Sequence, residues 1–155
     1  MKPKVSNNLI IAMLLPLAVG ILSSLFSDSA VQAYDMMEKP AASPPAYLFP
    51  IVWTVLYLLM GISSYLIYRS DSPYRNTALT VYAIQLLFNF FWSIIFFTFS
   101  AYLFAFVWLV IMILLIILMI FFFYKIDPAA AFLQIPYLLW CLFAAYLNLS
   151  VYLLN

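Results

Sequence analysis

NTALTVYAIQLLFNFFWSIIFFTFSAYLFAFVWLVIMILLIILMIFFFY, residues Asn76 to Tyr124, runs 49 residues without one Asp, Glu, Lys, Arg or His. As one continuous helix it would be about 75 Å long, roughly twice a bilayer, whose hydrocarbon layer takes about 20 apolar residues to cross. The run therefore predicts a helical hairpin inside a membrane. Its break falls at Thr98-Phe99-Ser100-Ala101, where small polar residues interrupt the apolar sequence. Charge-free windows at Val5 to Ser27, Pro40 to Tyr68 and Pro128 to Asn155 extend the pattern outward. The chain thus predicts an all-α integral membrane bundle of five transmembrane helices, over about 7–27, 45–68, 77–98, 102–124 and 129–153. These form a single transmembrane domain over 1–155, with one long outer loop at 28–45. A membrane β-barrel is excluded, because barrel strands alternate polar and apolar residues and these runs are continuously apolar.

Composition narrows the chemistry. Charged residues make up 7% of the chain, against about a quarter in soluble domains. A net charge of +1 with no basic patch excludes a nucleic-acid partner. Histidine is absent and Cys141 is the only cysteine. No intrachain disulfide can form, no metal site or metal cofactor is expected, and Ser-His or Cys-His nucleophile pairs cannot be built. No predicted span holds an ionisable group, so proton relays and ion-coupling carboxylates within the bilayer are excluded as well.

Lys2, Lys4, the apolar stretch after them and Val31-Gln32-Ala33 imitate a signal peptide with its cleavage site. The stretch is longer than a usual signal core, which favours retention as the first span. Basic residues set the orientation. Lys2, Lys4, Arg69, Arg75 and Lys125 fall on one side and Lys39 on the other, so the N-terminus is expected in the cytoplasm and the C-terminus outside. The outer loop carries Asp28, Asp35 and Glu38 and is long enough to serve as a lid or as a passive connector.

Within the spans the polar residues are few. Gln85, Asn89 and Trp92 share one face of the third helix; Trp53, Tyr57 and Ser64 recur at helical spacing in the second. Trp140, Ala144, Leu147 and Asn148 form a stripe in the fifth, with Cys141 at its edge. Pro16, Gly20 and Ser24 offer small surfaces in the first. Pro44-Pro45 suits a helix start, whereas Pro50 and Pro136 are expected to kink the second and fifth helices beside Trp53 and Trp140. Asn and Gln often serve only as interhelical glue, and Tyr47, Tyr68, Tyr102, Tyr124 and Tyr152 suit interfacial anchoring. Indoles at Trp53, Trp92 and Trp140, with Asn89 between them, would make an aromatic cavity for a flat, mostly apolar ligand.

These residues resemble the translocator protein family, TspO/MBR, also known as tryptophan-rich sensory protein or peripheral-type benzodiazepine receptor. The matching stretches are Lys39-Pro40, Pro44-Pro45, Val52-Trp53-Thr54-Val55-Leu56-Tyr57 with Met60-Gly61, then Gln85-Leu86 with Asn89 and Trp92. Pro136-Tyr137-Leu138-Leu139-Trp140 with Leu147-Asn148 completes them. The resemblance implies a dimeric five-helix bundle that binds porphyrins such as protoporphyrin IX and isoquinoline carboxamides such as PK11195. It implies ligand-lining roles for Tyr34, Trp53, Tyr57, Asn89, Trp92, Trp140, Ala144 and Leu147. Some bacterial members degrade protoporphyrin in a light-dependent oxidation needing two tryptophans, which would make Trp53 and Trp140 catalytic here. Three departures stand out. Ala42 and Phe104 occupy positions where the family commonly has tryptophan, and the C-terminal stretch holds Tyr152 without a following Lys or Arg. The last departure argues against cholesterol binding and for a bacterial cell membrane over the mitochondrial outer membrane. Three functions compete: a tetrapyrrole receptor with a transport or sensing role, a porphyrin-degrading enzyme, and a scaffold that packs against other membrane proteins.

Overall fold

The computed structural model describes residues 7–27 and 29–155. Lys2, Lys4 and Asp28, used above for orientation and for the outer loop, lie outside them. Seven α-helices follow one another: α1 Asn7–Phe26, α2 Ala30–Met36, α3 Leu48–Tyr68, α4 Arg75–Ser93, α5 Tyr102–Ile126, α6 Pro128–Phe132 and α7 Ile135–Leu154. A π-helical turn, Ile94–Thr98, prolongs α4. Five segments are long and apolar enough to cross a membrane, namely α1, α3, α4 with its π turn, α5, and α6 with α7.

The helices close a ring in which α1 packs on α3 and α4, α4 on α5, α5 on α6 and α7, and α3 on α6. The hairpin break lies where the small polar residues predict it. Phe99 N–H reaches back to the Ile94 carbonyl at 3.1 Å, and Ser100 takes a left-handed φ of 50° before α5 begins. The connection between α3 and α4 and the end of α5 sit at one end of the bundle, since Lys125 Nζ lies 5.7 Å from the Tyr74 ring centre. Arg69, Arg75 and Lys125 therefore share that end.

Several local expectations need correction. The second span starts at Leu48, not at the Pro44-Pro45 pair, because Leu48 and Phe49 N–H groups first close a turn onto the Pro45 and Ala46 carbonyls. Pro50 thus falls in the first turn of α3, where its missing N–H interrupts no helical bond, and it kinks nothing. Pro136 does not kink a continuous fifth helix either. It cannot donate to the Phe132 carbonyl, so α6 ends at Phe132 and α7 restarts with Pro136 in its first turn. The outer loop, expected as a lid or a passive connector, holds a short helix, α2. Of the small residues in the first span, Gly20 abuts the Tyr57 ring and Ser24 stays exposed.

Gly61 is a genuine close approach. A Cβ there would stand 2.5 Å from Met13 Cα, so α1 and α3 touch backbone to backbone.

Candidate ligand-binding site

A cavity of about 440 Å³ lies between α1, α2, α3, α4 and the π turn. Trp53 and Tyr57 of α3 form one wall, with their rings stacked at 5.5 Å. Asn89 and Trp92 come from α4, one turn apart, and Phe97 from the π turn. The insertion that makes a π turn re-aims the side chains beyond it, a feature common at binding sites. Serines at 23, 24 and 27 bring hydroxyls from α1 and the residue after it. No charged side chain among the described residues lines the space. Exposed Ile21, Val31, Pro50 and Thr54 mark its rim, so it opens sideways between α1, α2 and α3.

The loop segment over the cavity is tied down at several points. Tyr34 of α2 is buried and its O–H donates to the Pro44 carbonyl at 2.6 Å. Burial, with a smaller push from the Asp35 carboxylate, raises this phenol above the ordinary tyrosine range and keeps it a donor. Lys39 Nζ donates to the Tyr34 carbonyl and sits 4.3 Å from the centre of the Tyr34 ring. At the end of α7 the Asn155 carboxamide brackets Glu38, accepting from its N–H at 3.2 Å and donating to its carbonyl at 2.9 Å.

Beneath the cavity runs a buried polar chain. Tyr57 O–H donates to Asn89 Oδ1 at 2.7 Å, Asn89 Nδ2 donates to the Tyr137 oxygen at 3.1 Å, and Tyr137 O–H donates to Gln85 Oε1 at 2.7 Å. Trp92 is held separately: its indole N–H donates to Asn148 Oδ1 at 3.1 Å, and Asn148 Nδ2 donates to the Tyr102 carbonyl at 2.8 Å. Side chains this deep have no water to satisfy them, so the chain fixes the orientation of Asn89.

Of the residues singled out from sequence, Tyr34, Trp53, Tyr57, Asn89 and Trp92 line this cavity together. Ala144 and Leu147 are buried between helices and do not reach it. Trp140 lies elsewhere. It lines a groove of about 510 Å³ on the outer face of α3 and α7, with Val52, Val55, Leu139 and Phe143. The Phe49 ring stands between the two spaces, 5.1 Å from Tyr34 and 5.8 Å from Trp140. The Trp140 N–H is buried without a partner among the described residues. Ser23, Ser27, Ser93 and Tyr137 are members of the site or its support that the sequence reading missed. The four-residue spacing of Ser23 and Ser27 is the one signal that could have found the first two.

Residues 12–154 match the model of the TspO/MBR family. Among curated relatives, the chain is 37% identical over 152 residues to the tryptophan-rich protein TspO of Archaeoglobus fulgidus, covering 95% of this chain and 96% of that protein. It is 34% identical over 122 residues to the tryptophan-rich sensory protein of Cereibacter sphaeroides, covering 79% and 76%. To the translocator protein of Sus scrofa it is 34% identical over 143 residues, covering 90% and 85%.

Proposed function

The chain belongs to the TspO/MBR family and is a multi-pass membrane protein, and from that premise we propose that it is a membrane receptor or sensor for flat hydrophobic ligands. Protoporphyrin IX or a related tetrapyrrole is the proposed natural class, and PK11195-like isoquinoline carboxamides are proposed as synthetic occupants. The observation that carries this is the 440 Å³ aromatic cavity in which Trp53, Tyr57, Asn89 and Trp92 converge under the Tyr34 lid. Stacked rings on one side and sparse hydrogen-bonding points on the other suit a planar guest.

Receptor function is preferred to porphyrin degradation on one point. Oxidation needing both indoles against one ring calls for Trp53 and Trp140 in a common space, whereas the Phe49 ring separates them. Titrating purified protein with protoporphyrin IX, in the dark and under illumination, separates the alternatives. Saturable binding without bleaching, weakened in Trp53→Phe, supports the receptor. Bleaching lost in either Trp53→Phe or Trp140→Phe supports the enzyme, and the absence of any spectral change supports the scaffold.

A homodimer in a bacterial cell membrane, with the N-terminus in the cytoplasm, completes the proposal. The clustering of Arg69, Arg75 and Lys125 at one end, with Lys39 in the opposite lid, favours that orientation. Cysteine-accessibility labelling at Ser72 and Ser43 in intact cells tests it, and labelling of Ser72→Cys from outside would reverse it.

A further inference from the structure

The hydroxyl groups around the cavity share one property: their protons are spent inside the protein. Ser23 Oγ–H can only donate to the Phe90 carbonyl, 2.8 Å away. Ser93 lies 2.5 Å from Ser23 Oγ and must therefore be the donor in that contact. Ser27, 3.3 Å from Ser93 Oγ, must in turn donate to Ser93. A hydroxyl has one proton and two lone pairs, so the direction Ser27 to Ser93 to Ser23 to Phe90 carbonyl is fixed by its backbone end. Ser24 donates to the Ile21 carbonyl at 2.7 Å and Thr54 to the Pro50 carbonyl at 2.7 Å. The phenols of Tyr34 and Tyr57 are committed to Pro44 and Asn89. Among the described residues lining the cavity, no hydroxyl keeps a proton for a guest.

Uncommitted donors lie elsewhere along the lining. Asn89 gives one amide proton to Tyr137 and retains a second, and the Trp53 indole N–H makes no hydrogen bond among the described residues. The cavity is thus polarised, with lone pairs along α1 and at Ser93, which ends α4, and N–H groups at Asn89, one turn earlier on α4, and at Trp53 of α3.

We infer that the Ser27–Ser93 wall is a hydrogen-bond-acceptor subsite that takes a neutral donor of the bound molecule, such as an amide or pyrrole-type N–H or a hydroxyl. A carboxylate brought there would set oxygen against oxygen, so an ionised acid group must stay at the mouth or enter protonated. This inference rests on the ligand-binding proposal above and adds to it the polarity of the guest.

A matched pair of isoquinoline carboxamides tests it, one a secondary amide and the other its N-methyl tertiary amide, titrated against the full-length protein in detergent. The wild type is expected to bind the secondary amide about 3- to 10-fold more tightly, the worth of one hydrogen bond. In a Ser27→Ala, Ser93→Ala double variant, which removes both acceptor oxygens, that preference falls to about 1. Ser93→Ala removes the acceptor for the Ser27 proton and frees it, so the tertiary amide is expected to gain affinity, whereas a merely structural role would weaken both ligands. Equal or better binding of the tertiary amide by the wild type overturns the inference alone. So does a preference that survives in the double variant. If neither amide nor protoporphyrin IX binds, the ligand-binding proposal falls and takes this inference with it.

Discussion

Replacing Gly61 with alanine tests the closest contact in the bundle. The added Cβ would stand 2.5 Å from Met13 Cα and 2.7 Å from the Ala12 carbonyl oxygen. Carbon atoms at rest lie about 3.5–4.0 Å apart, so α1 must retreat by about 1 Å. Both opposing atoms are backbone, and no change of rotamer relieves them. Overpacking of this kind costs about 1–3 kcal/mol. Alanine's better helix propensity returns at most about 1 kcal/mol, so a net loss of about 1–2 kcal/mol is expected. The same displacement parts the walls of the cavity, since Leu17 and Gly20 of α1 face Trp53 and Tyr57 of α3. Thermal unfolding of the detergent-solubilised protein, followed by tryptophan fluorescence, reads the first effect, and a protoporphyrin IX titration reads the second. Val55→Ala, on the exposed face of the same helix, is the control and should change neither. A Gly61→Ala protein as stable as the wild type would show that α1 and α3 do not meet there.

Gly20→Ala drives its Cβ into the Tyr57 ring; a loss of about 1–2 kcal/mol in stability and a several-fold drop in protoporphyrin affinity are expected, because Tyr57 turns away and leaves the buried Asn89 Oδ1 unpaired. Equal affinity in fluorescence titration would count against the Tyr57–Asn89 contact. Tyr137→Phe leaves Gln85 Oε1 and Asn89 Nδ2 without their shared partner, and a loss of about 1–2 kcal/mol is expected in thermal unfolding. Asn155→Ala unties Glu38 from α7; proteolysis in the Met37–Ala46 segment should quicken while the unfolding temperature stays within a degree or two. Unchanged cleavage would mean that the Tyr34 and Lys39 contacts alone hold the lid.

Much of the fold was legible because charges bracket the spans. Arg69 and Arg75 end and begin helices, Lys125 and Asp127 mark the next turn, and Ser100 breaks the long apolar run. What the sequence concealed is which way each helix faces. In lipid the outer surface is as apolar as the inner one, and α5 is apolar all round, so periodicity loses its power to sort them. Gln85 and Asn89 escaped that ambiguity because a carboxamide at this depth must face protein, and both do. Trp140 did not escape it. An indole tolerates a groove or a cavity equally, and the stripe that Trp140 shares with Ala144, Leu147 and Asn148 says nothing of which space on that side of α7 receives the ring. The serines were overlooked for a related reason: each can satisfy itself on its own helix, as Ser24 does, so only the neighbouring helix distinguishes Ser23 and Ser27.

That distinction ties architecture to recognition. Helices in a bilayer gain no hydrophobic free energy from meeting one another, and must be joined by close packing and by hydrogen bonds. Gly61 supplies the packing between α1 and α3; Ser23, through Phe90 and Ser93, supplies hydrogen bonds between α1 and α4. The protons used to join α1 are the ones the cavity wall lacks. Fastening the helix and setting the wall's polarity are therefore one event, performed by the same atoms. It follows that substitutions at Ser23 should shift both properties together, loosening α1 and returning a donor to the cavity through Ser93. Substitutions at Gly61 should alter stability and cavity width without changing which end of a ligand faces which wall.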